Sequence, residues 1–147
     1  MKVAIPVDSE QKLGGGFTFR RNLIKGLQML GSAVEIVDDP LKADVAVICG
    51  VTMVSKETFR AMKSAHVKIV TRLDNVPRNS RNRGSGTGRL LNYAQEADEL
   101  VWQGEWSKFY LEDFLGSRGV IIHNGIDLDV FNPVGDSFIF EIGRAHV

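Results

Sequence analysis

Short apolar runs alternate with helical patterns along most of the chain. The runs are rich in β-branched residues and mostly continuous, which is typical of strands that are buried on both faces of a sheet. They occupy residues 2–7, 33–37, 44–49, 67–73, 99–103 and 120–123. Right-handed crossovers should join such strands into one open sheet. The pattern therefore predicts an α/β fold, a Rossmann-like doubly wound sheet of about six parallel strands with helices on both faces.

Helical spacing of apolar residues marks the segments between the strands. The first helix is predicted from Leu23, Ile24, Leu27 and Leu30, which recur at helical spacing. A second should follow Ser55, which we expect to act as its N-cap, with Thr58 in place of the usual capping-box Glu. A third should include residues 90–97. The link at residues 37–44 is short and contains Pro40, so this crossover is expected to be a loop or a helix of very few residues.

The last helical pattern is aromatic. Trp106, Tyr110 and Phe114 recur every four residues, and we expect them to form the buried stripe of that helix. Glu105 precedes them at the start of the helix. It is a candidate cleft residue, although a glutamate in a first helical turn also simply compensates the helix dipole.

Composition restricts the function classes. The 147 residues, 44% of them hydrophobic, suit a single domain with a sizeable core. Eighteen basic and eighteen acidic side chains give no net field towards nucleic acid or an anionic membrane. The lone Cys49 fits a reducing compartment, and the apolar start of the chain is too short for a signal peptide or a membrane span. We expect a cytoplasmic protein without a transmembrane segment, while peripheral membrane contact stays open.

Three consecutive glycines, Gly14, Gly15 and Gly16, separate the first strand from the first helix. Glycines at a helix N-terminus let backbone amides approach an anion such as a phosphate. Some six residues stand between Val7 and Gly14, so the loop is not a dinucleotide fingerprint, and it lacks the Lys-Ser/Thr of a P-loop. The alternative is a flexible connection with a glycine cap.

An arginine-rich segment follows the fourth strand, in "TRLDNVPRNSRNRGSGTGRLL". The only acid among its arginines is Asp74, and residues 75–88 are too polar to pack, so they predict a long loop. Arginine forks suit phosphates and carboxylates. The alternatives are a solvated loop and an RNA-binding segment, but no aromatic residue occurs between Arg60 and Asn92, so nucleic acid is not expected. The arginines are Arg72, Arg78, Arg81, Arg83 and Arg89.

The end of the last strand carries turn chemistry. Asn124-Gly125 favours a tight turn, and Asp127 and Asp129 follow it. The two carboxylates could ligate a cation, but turn chemistry explains them without one. The histidines show no paired spacing and no cysteine accompanies them, so no metal site is predicted.

Three stretches together resemble the N-terminal domain of GT-B glycosyltransferases of family 4. They are "GGGFTFRRNLIKGLQMLG", "ADELVWQGEWSKFYLEDFLG" and, most specifically, "VIIHNGIDLDVFNP". In that family the last motif lies where the chain crosses from the acceptor-side domain to the donor-side domain. The resemblance implies that residues 1–133 form the acceptor-side domain and that residues 134–140 begin the donor domain. Residues 141–147, "EIGRAHV", look like a translated sequencing adapter and are expected to be non-native.

The resemblance also implies a reaction and a set of site residues. A complete enzyme would transfer a sugar from a nucleotide-diphosphate sugar, its co-substrate, to an acceptor with retention, without a further cofactor; the fragment alone should be inactive. Many members carry a histidine near the position of Arg72, and Asp74 is the nearest candidate for a catalytic acid. The other implied residues are Gly14, Gly15 and Gly16 at the donor diphosphate, Arg72, Asn75 and Arg78 at acceptor or leaving-group oxygens, and Glu105 and Asn124 at the cleft border.

A different class of function remains as an alternative. The chain could be a non-catalytic, anion-binding or RNA-binding Rossmann-like module that uses the segment from Arg72 to Arg89. The two hypotheses differ in salt dependence, because a nucleic-acid complex weakens steeply as salt rises.

Overall fold

The computed structural model of the chain describes residues 1–8, 14–73 and 84–125. The strands are β1 (Lys2–Ala4), β2 (Glu35–Ile36), β3 (Val45–Ile48), β4 (Lys68–Leu73), β5 (Glu99–Trp102) and β6 (Val120–Ile121). The helices are α1 (Gly15–Gln28), α2 (Lys56–Ser64), α3 (Gly84–Glu96) and α4 (Glu105–Leu115), with short 3-10 helices at Gly31–Ala33 and Pro40–Lys42.

All six strands pair in parallel in one sheet, in the order β2-β1-β3-β4-β5-β6. The predicted α/β class and the parallel sheet are thus confirmed. The short link after β2 is a 3-10 helix capped by Asp39, whose carboxylate accepts a hydrogen bond from the Leu41 N–H at 3.0 Å. Since β1 has β2 on one side and β3 on the other, the direction of winding reverses between β1 and β3. Such a reversal opens a crevice at the carboxyl ends of the two strands.

Alternate residues of the strands pack into two separate hydrophobic clusters, one on each face of the sheet. Val3 and Ile5 belong to a smaller cluster under α1, whereas Ala4 belongs to a larger cluster on the opposite face. The larger cluster includes Met62 of α2, Tyr93 of α3 and Leu111 of α4. Helices therefore cover both faces of the sheet, as predicted, with α1 on one face and the other three on the opposite face.

The apolar side of α1 is close to the expectation. Leu23, Ile24 and Leu27 pack against the smaller cluster, but Leu30 lies beyond the end of the helix and is 60% exposed. The assignment of Leu30 to the first helix was therefore wrong. The helix ends at Gln28, so the 3.6-residue period no longer places Leu30 over the sheet.

The expected buried stripe of α4 is wrong. Trp106, Tyr110 and Phe114 are each at least half exposed, and the buried line of the helix is instead Ser107, Leu111 and Leu115, one residue further along. Both lines have a period of four, so spacing alone cannot choose between them. The Ser107 hydroxyl donates to the Gly104 carbonyl at 2.8 Å and accepts from the Gly104 N–H at 3.3 Å. This capping turns Ser107 inward and sets the phase of the helix.

The segment expected as a loop at residues 75–88 is partly helical. Helix α3 begins at Gly84, so residues 84–88 belong to its first turns rather than to the loop. Glycine and serine have low helix propensity, which is why the sequence pattern placed the start of the helix later. Residues 126–147, including both segments assigned to a donor domain and to a tail, lie outside the described residues.

Candidate functional site

Arg72 occupies the centre of the carboxyl edge of the sheet. It is the next-to-last residue of β4 and is only 5% exposed. Its guanidinium donates from Nη1 to the Cys49 carbonyl at 3.2 Å and from Nη2 to Asn124 Oδ1 at 2.9 Å. The ring of Phe19 lies against the guanidinium, with the ring centroid 4.0 Å from Cζ. One side chain thereby contacts α1, the end of β3 and the segment after β6.

These contacts compensate the burial of a permanent charge. A guanidinium stays protonated at any physiological pH, so its desolvation must be offset by acceptors and by the aromatic face. Hydrogen bonds with a charged partner contribute about 1.5–3 kcal/mol each, and a desolvated cation–π contact contributes about 2 kcal/mol. Arg72 therefore holds the loops of this edge in place, and a ligand would meet the surface that these loops form.

The three glycines have different structural roles. Gly14 is the N-cap of α1 and has φ of 124° and ψ of 167°, a conformation that side chains strongly disfavour. A Cβ on Gly16 would lie 2.7 Å from Met53 Sδ, so this glycine lets α1 approach the loop after β3. A Cβ on Gly15 would meet no atom within 4 Å. The N-terminus of α1 consequently lies beside the β3 loop.

The start of α4 lies at the same edge. A Cβ on Gly104 would lie 3.7 Å from the His123 ring, so the loop after β5 and the segment after β6 are neighbours. Glu105 is the first residue of α4 and is exposed. Asn124 is also exposed while its side-chain oxygen accepts from Arg72. Glu105 and Asn124, both expected to border a cleft, are thus brought to one end of the sheet.

A second group of contacts joins the loops after β1 and β3. Asp8 donates its backbone N–H to the Met53 carbonyl at 2.8 Å, and its carboxylate accepts the Ser55 N–H at 2.7 Å. Ser55 caps α2 as predicted, because its hydroxyl oxygen accepts the Thr58 N–H at 3.0 Å. Partial burial by itself raises the pKa of Asp8, but hydrogen bonds from the Ser55 backbone and from the Thr58 and Ser55 hydroxyls lower it below the ordinary 3.8.

A polar cavity of about 410 Å³ lies at this junction. It is at the crevice where the winding of the sheet reverses between β1 and β3. Both carboxylates and cations line it, together with a threonine hydroxyl and the first turn of α2. The lining residues are Asp8, Thr52, Met53, Ser55, Lys56, Glu57 and Arg89.

Tyr93 holds α3 against the rim of this cavity. Its hydroxyl donates to the Val54 carbonyl at 3.1 Å, and its ring stacks on Phe59 with centroids 4.1 Å apart. Burial raises the pKa of the Tyr93 hydroxyl, which keeps it protonated as a donor. Arg89 lies one helical turn before Tyr93, so this contact places the Arg89 side chain at the cavity.

Several residues expected at the site fall in the segments 74–83 and 126–147, which the structure does not describe. Asp74, Asn75 and Arg78 lie outside the described residues, as do Asp127 and Asp129. Within the ranges 1–8, 14–73 and 84–125, no three His, Cys, Asp or Glu side chains come together in an arrangement that could hold a metal ion.

The sequence interpretation missed Asp8 and Phe19. Asp8 directly follows the first predicted strand, and a polar residue at that position is a signal for a binding site. The interpretation instead selected the three glycines further along the loop. Its partner Ser55 is 47 positions away, so their contact depends on the strand order. Phe19 was indistinguishable from the other apolar residues of α1 until the position of Arg72 was known.

Comparison with known proteins gives no relative for this chain. No protein-family model, no curated protein and no solved structure matches it.

Proposed function

We propose that this chain is the acceptor-side domain of a GT-B glycosyltransferase of family 4. In the complete enzyme it would take part in transferring a sugar from a nucleotide-diphosphate sugar to an acceptor, with the donor bound mainly by a second domain in cis. The observation that carries the proposal is the hydrogen bond between Arg72 and Asn124. It joins the start of the most specific family-like motif to the strand end where the resemblance expects the cleft.

The crevice between β1 and β3 supports the same proposal. Ligands of doubly wound sheets bind at the carboxyl ends of the strands where the winding reverses. Asp8 is a hydrogen-bond acceptor there, while Lys56, Arg89 and the Thr52 hydroxyl are donors. Neighbouring sugar hydroxyls both donate and accept, so a mixed lining of this kind suits them. We assign the acceptor to this cavity.

The glycines are assigned to the donor diphosphate. In α1, the N–H groups of the first turn carry the positive end of the helix dipole, and Gly14 and Gly15 have no side chains to keep an anion away. Since this loop is only one wall of a two-walled donor site, the chain alone should bind nucleotide sugars weakly. Arg72 positions the segments that surround the site and does not need to touch the ligand itself.

Calorimetric titration of the 147-residue chain tests whether this domain binds the acceptor sugar and binds the nucleotide sugar only weakly. The probes are UDP-glucose and GDP-mannose for the donor, glucose 6-phosphate and N-acetylglucosamine for the acceptor, and a single-stranded RNA oligonucleotide for the alternative module. We expect weak binding of a sugar probe and no micromolar binding of either nucleotide sugar. Micromolar nucleotide-sugar binding, or RNA binding that falls steeply with salt, would contradict the proposal.

A further inference from the structure

Helix α4 carries four exposed aromatic residues on its outer side. Trp106, Phe109, Tyr110 and Phe114 are 50%, 69%, 50% and 64% exposed. We call these four residues the aromatic face of α4. At about 150–250 Å² for each aromatic side chain, their exposed parts amount to roughly 350–580 Å². That is as large as the largest apolar patch of a typical monomer, and such patches are often functional.

The residues that anchor α4 in the core lie on another side of the helix. Leu111 and Leu115 already anchor α4 in the larger cluster, and each buried leucine contributes about 1.5–3 kcal/mol. Ser107 fixes the start of the helix through Gly104. Polar residues on the outer side of the helix would leave these anchors intact, and the outer side of a surface helix is usually polar.

Three of the rings are already arranged against one another. The centroids of Trp106 and Tyr110 are 4.9 Å apart in a tilted geometry, and those of Phe109 and Tyr110 are 5.4 Å apart in an edge-to-face geometry. Rings that are held in this way lose less rotamer freedom when a partner binds. The surface is thus prepared for a contact rather than loosely exposed.

Charge restricts what can bind there. Glu105, Glu112 and Asp113 lie on the same helix with a single lysine, Lys108. Asp113 falls between the aromatic residues on the helical wheel, and Glu105 and Glu112 fall together along the side of Phe109. Within the described part of the chain, none of these carboxylates forms an ion pair. An anionic membrane surface would be repelled, whereas a cationic partner is attracted.

We propose that the aromatic face of α4 docks an amphipathic helix of a partner protein, with aliphatic residues against the rings and lysine or arginine beside the carboxylates. Aromatic residues are the usual anchors of such interfaces, and flanking charges set partner choice and orientation. The contact is separate from the cavity between β1 and β3, because the aromatic face belongs to α4 and none of its residues lines that cavity.

The test uses two synthetic amphipathic peptides that share the same spacing of leucines. The polar positions are lysine in the first peptide and glutamate in the second. Binding to the 147-residue chain is followed by tryptophan emission, because Trp106 is half exposed while Trp102 is fully buried. We expect the Leu/Lys peptide to bind at least about tenfold more tightly than the Leu/Glu peptide. Phe109→Ser combined with Phe114→Ser should weaken binding by a further factor of about ten or more.

Charge reversal is the decisive variant. Glu112→Lys combined with Asp113→Lys should invert the preference, so that the Leu/Glu peptide binds more tightly. Lysines in the last turn suit the helix dipole, so the fold should survive, which circular dichroism would verify. Met29→Ser is the matched control, because Met29 is an exposed apolar residue at the far end of α1, and it should leave binding unchanged.

Four outcomes would overturn the proposal. The first two are equal affinity for the two peptides and no effect of the aromatic substitutions on peptide binding. The third is partition of the chain onto phosphatidylcholine vesicles, with or without phosphatidylglycerol. The fourth is self-association in sedimentation velocity that the Phe109→Ser, Phe114→Ser variant abolishes. The last two would assign the same surface to a membrane or to a second copy of the chain.

Discussion

The Arg72 guanidinium donates a hydrogen bond to Asn124 Oδ1 at 2.9 Å across 52 positions of the sequence. The same guanidinium is bonded to the Cys49 carbonyl and covered by the Phe19 ring. The end of β3, the segment after β6 and the first helix are therefore held by one buried cation. This makes the shape of the candidate site depend on a residue that is itself almost inaccessible.

Replacing Arg72 should destabilise the domain clearly. Arg72→Ala removes the charge-assisted hydrogen bond to the buried Cys49 carbonyl and the contact with the Phe19 ring, so we expect the free energy of unfolding to fall by about 3 kcal/mol. Urea unfolding at neutral pH measures this. Arg60→Ala, which removes an exposed arginine of α2, is the matched control and should change stability by less than about 0.5 kcal/mol. Equal effects of the two substitutions would contradict the role of Arg72.

The contact with Asn124 can be isolated by a double-mutant cycle. Asn124→Ala alone should cost about 1 kcal/mol, because Arg72 keeps its other partners. Combined with Arg72→Ala, it should add little, which gives a coupling energy within the roughly 0.5–3 kcal/mol measured for contacting residues. Simple additivity of the two substitutions would mean that the hydrogen bond contributes nothing in solution.

Many of the residues at this edge could be predicted from sequence. The carboxyl ends of parallel strands meet at one edge of the sheet, so the positions of the strands in the sequence are enough to identify the residues there. Arg72 was placed at that edge by its position near the end of an apolar run, and Glu105 and Asn124 by their positions after such runs. The contacts among them could not be predicted, since they depend on the strand order. The same holds for Asp8 and Ser55, which meet only because β1 and β3 are neighbours.

The wrong phase of α4 has a different origin. Trp106, Tyr110 and Phe114 are larger and more apolar than Ser107, so the hydrophobic pattern favoured them as the buried line. The observed phase combines the burial of Leu111 and Leu115 with the capping contact between Ser107 and Gly104, and that contact involves backbone atoms that a side-chain pattern does not include. The exposed aromatic face of α4 is the direct result of this phase.

Asp8 should make stability dependent on acid. Its pKa is lowered in the folded protein, so its stabilising effect is present above the unfolded value of about 3.8 and is lost as pH falls through the folded value. Asp8→Asn should therefore be less stable than the parent at pH 7 by under about 1 kcal/mol, since solvent screens an exposed carboxylate. Urea unfolding across the acid range should show this difference shrinking towards pH 2. A difference that stays constant, or grows, on acidification would be inconsistent with it.

Thr71 offers a stabilising substitution. Its side chain is fully buried in β4, and its hydroxyl has no hydrogen-bond partner among the described residues. Thr71→Val keeps the shape and removes the unsatisfied hydroxyl, so we expect the chain to gain about 1 kcal/mol of stability and a higher Tm. Thr71→Ser, which keeps the hydroxyl and removes the methyl group, should be less stable than the parent. Loss of stability in the valine variant would indicate that the hydroxyl has a partner in solution.

Gly119 should tolerate no side chain. It has φ of 94°, and a Cβ there would lie 2.3 Å from the Leu100 carbonyl oxygen, where β6 approaches β5. Gly119→Ala should therefore cost about 3 kcal/mol or more. Gly26→Ala is the control, because Gly26 lies inside α1 and a Cβ there meets no atom within 4 Å. The control should gain about 0.5–1 kcal/mol. Thermal unfolding of both variants compares them, and a harmless Gly119→Ala would contradict the close approach of the two strands.

The central claim is that the crevice between β1 and β3 receives the sugar acceptor, and amide chemical shifts measure this most directly. Glucose 6-phosphate, titrated into the isotope-labelled 147-residue chain, should shift the amides of Thr52, Ser55 and Lys56, which line the cavity, and leave those at the end of α4 unchanged. Asp8→Asn should reduce these shifts. The account is contradicted if this sugar phosphate and N-acetylglucosamine both leave the crevice unperturbed while an RNA oligonucleotide shifts its amides in a salt-dependent manner.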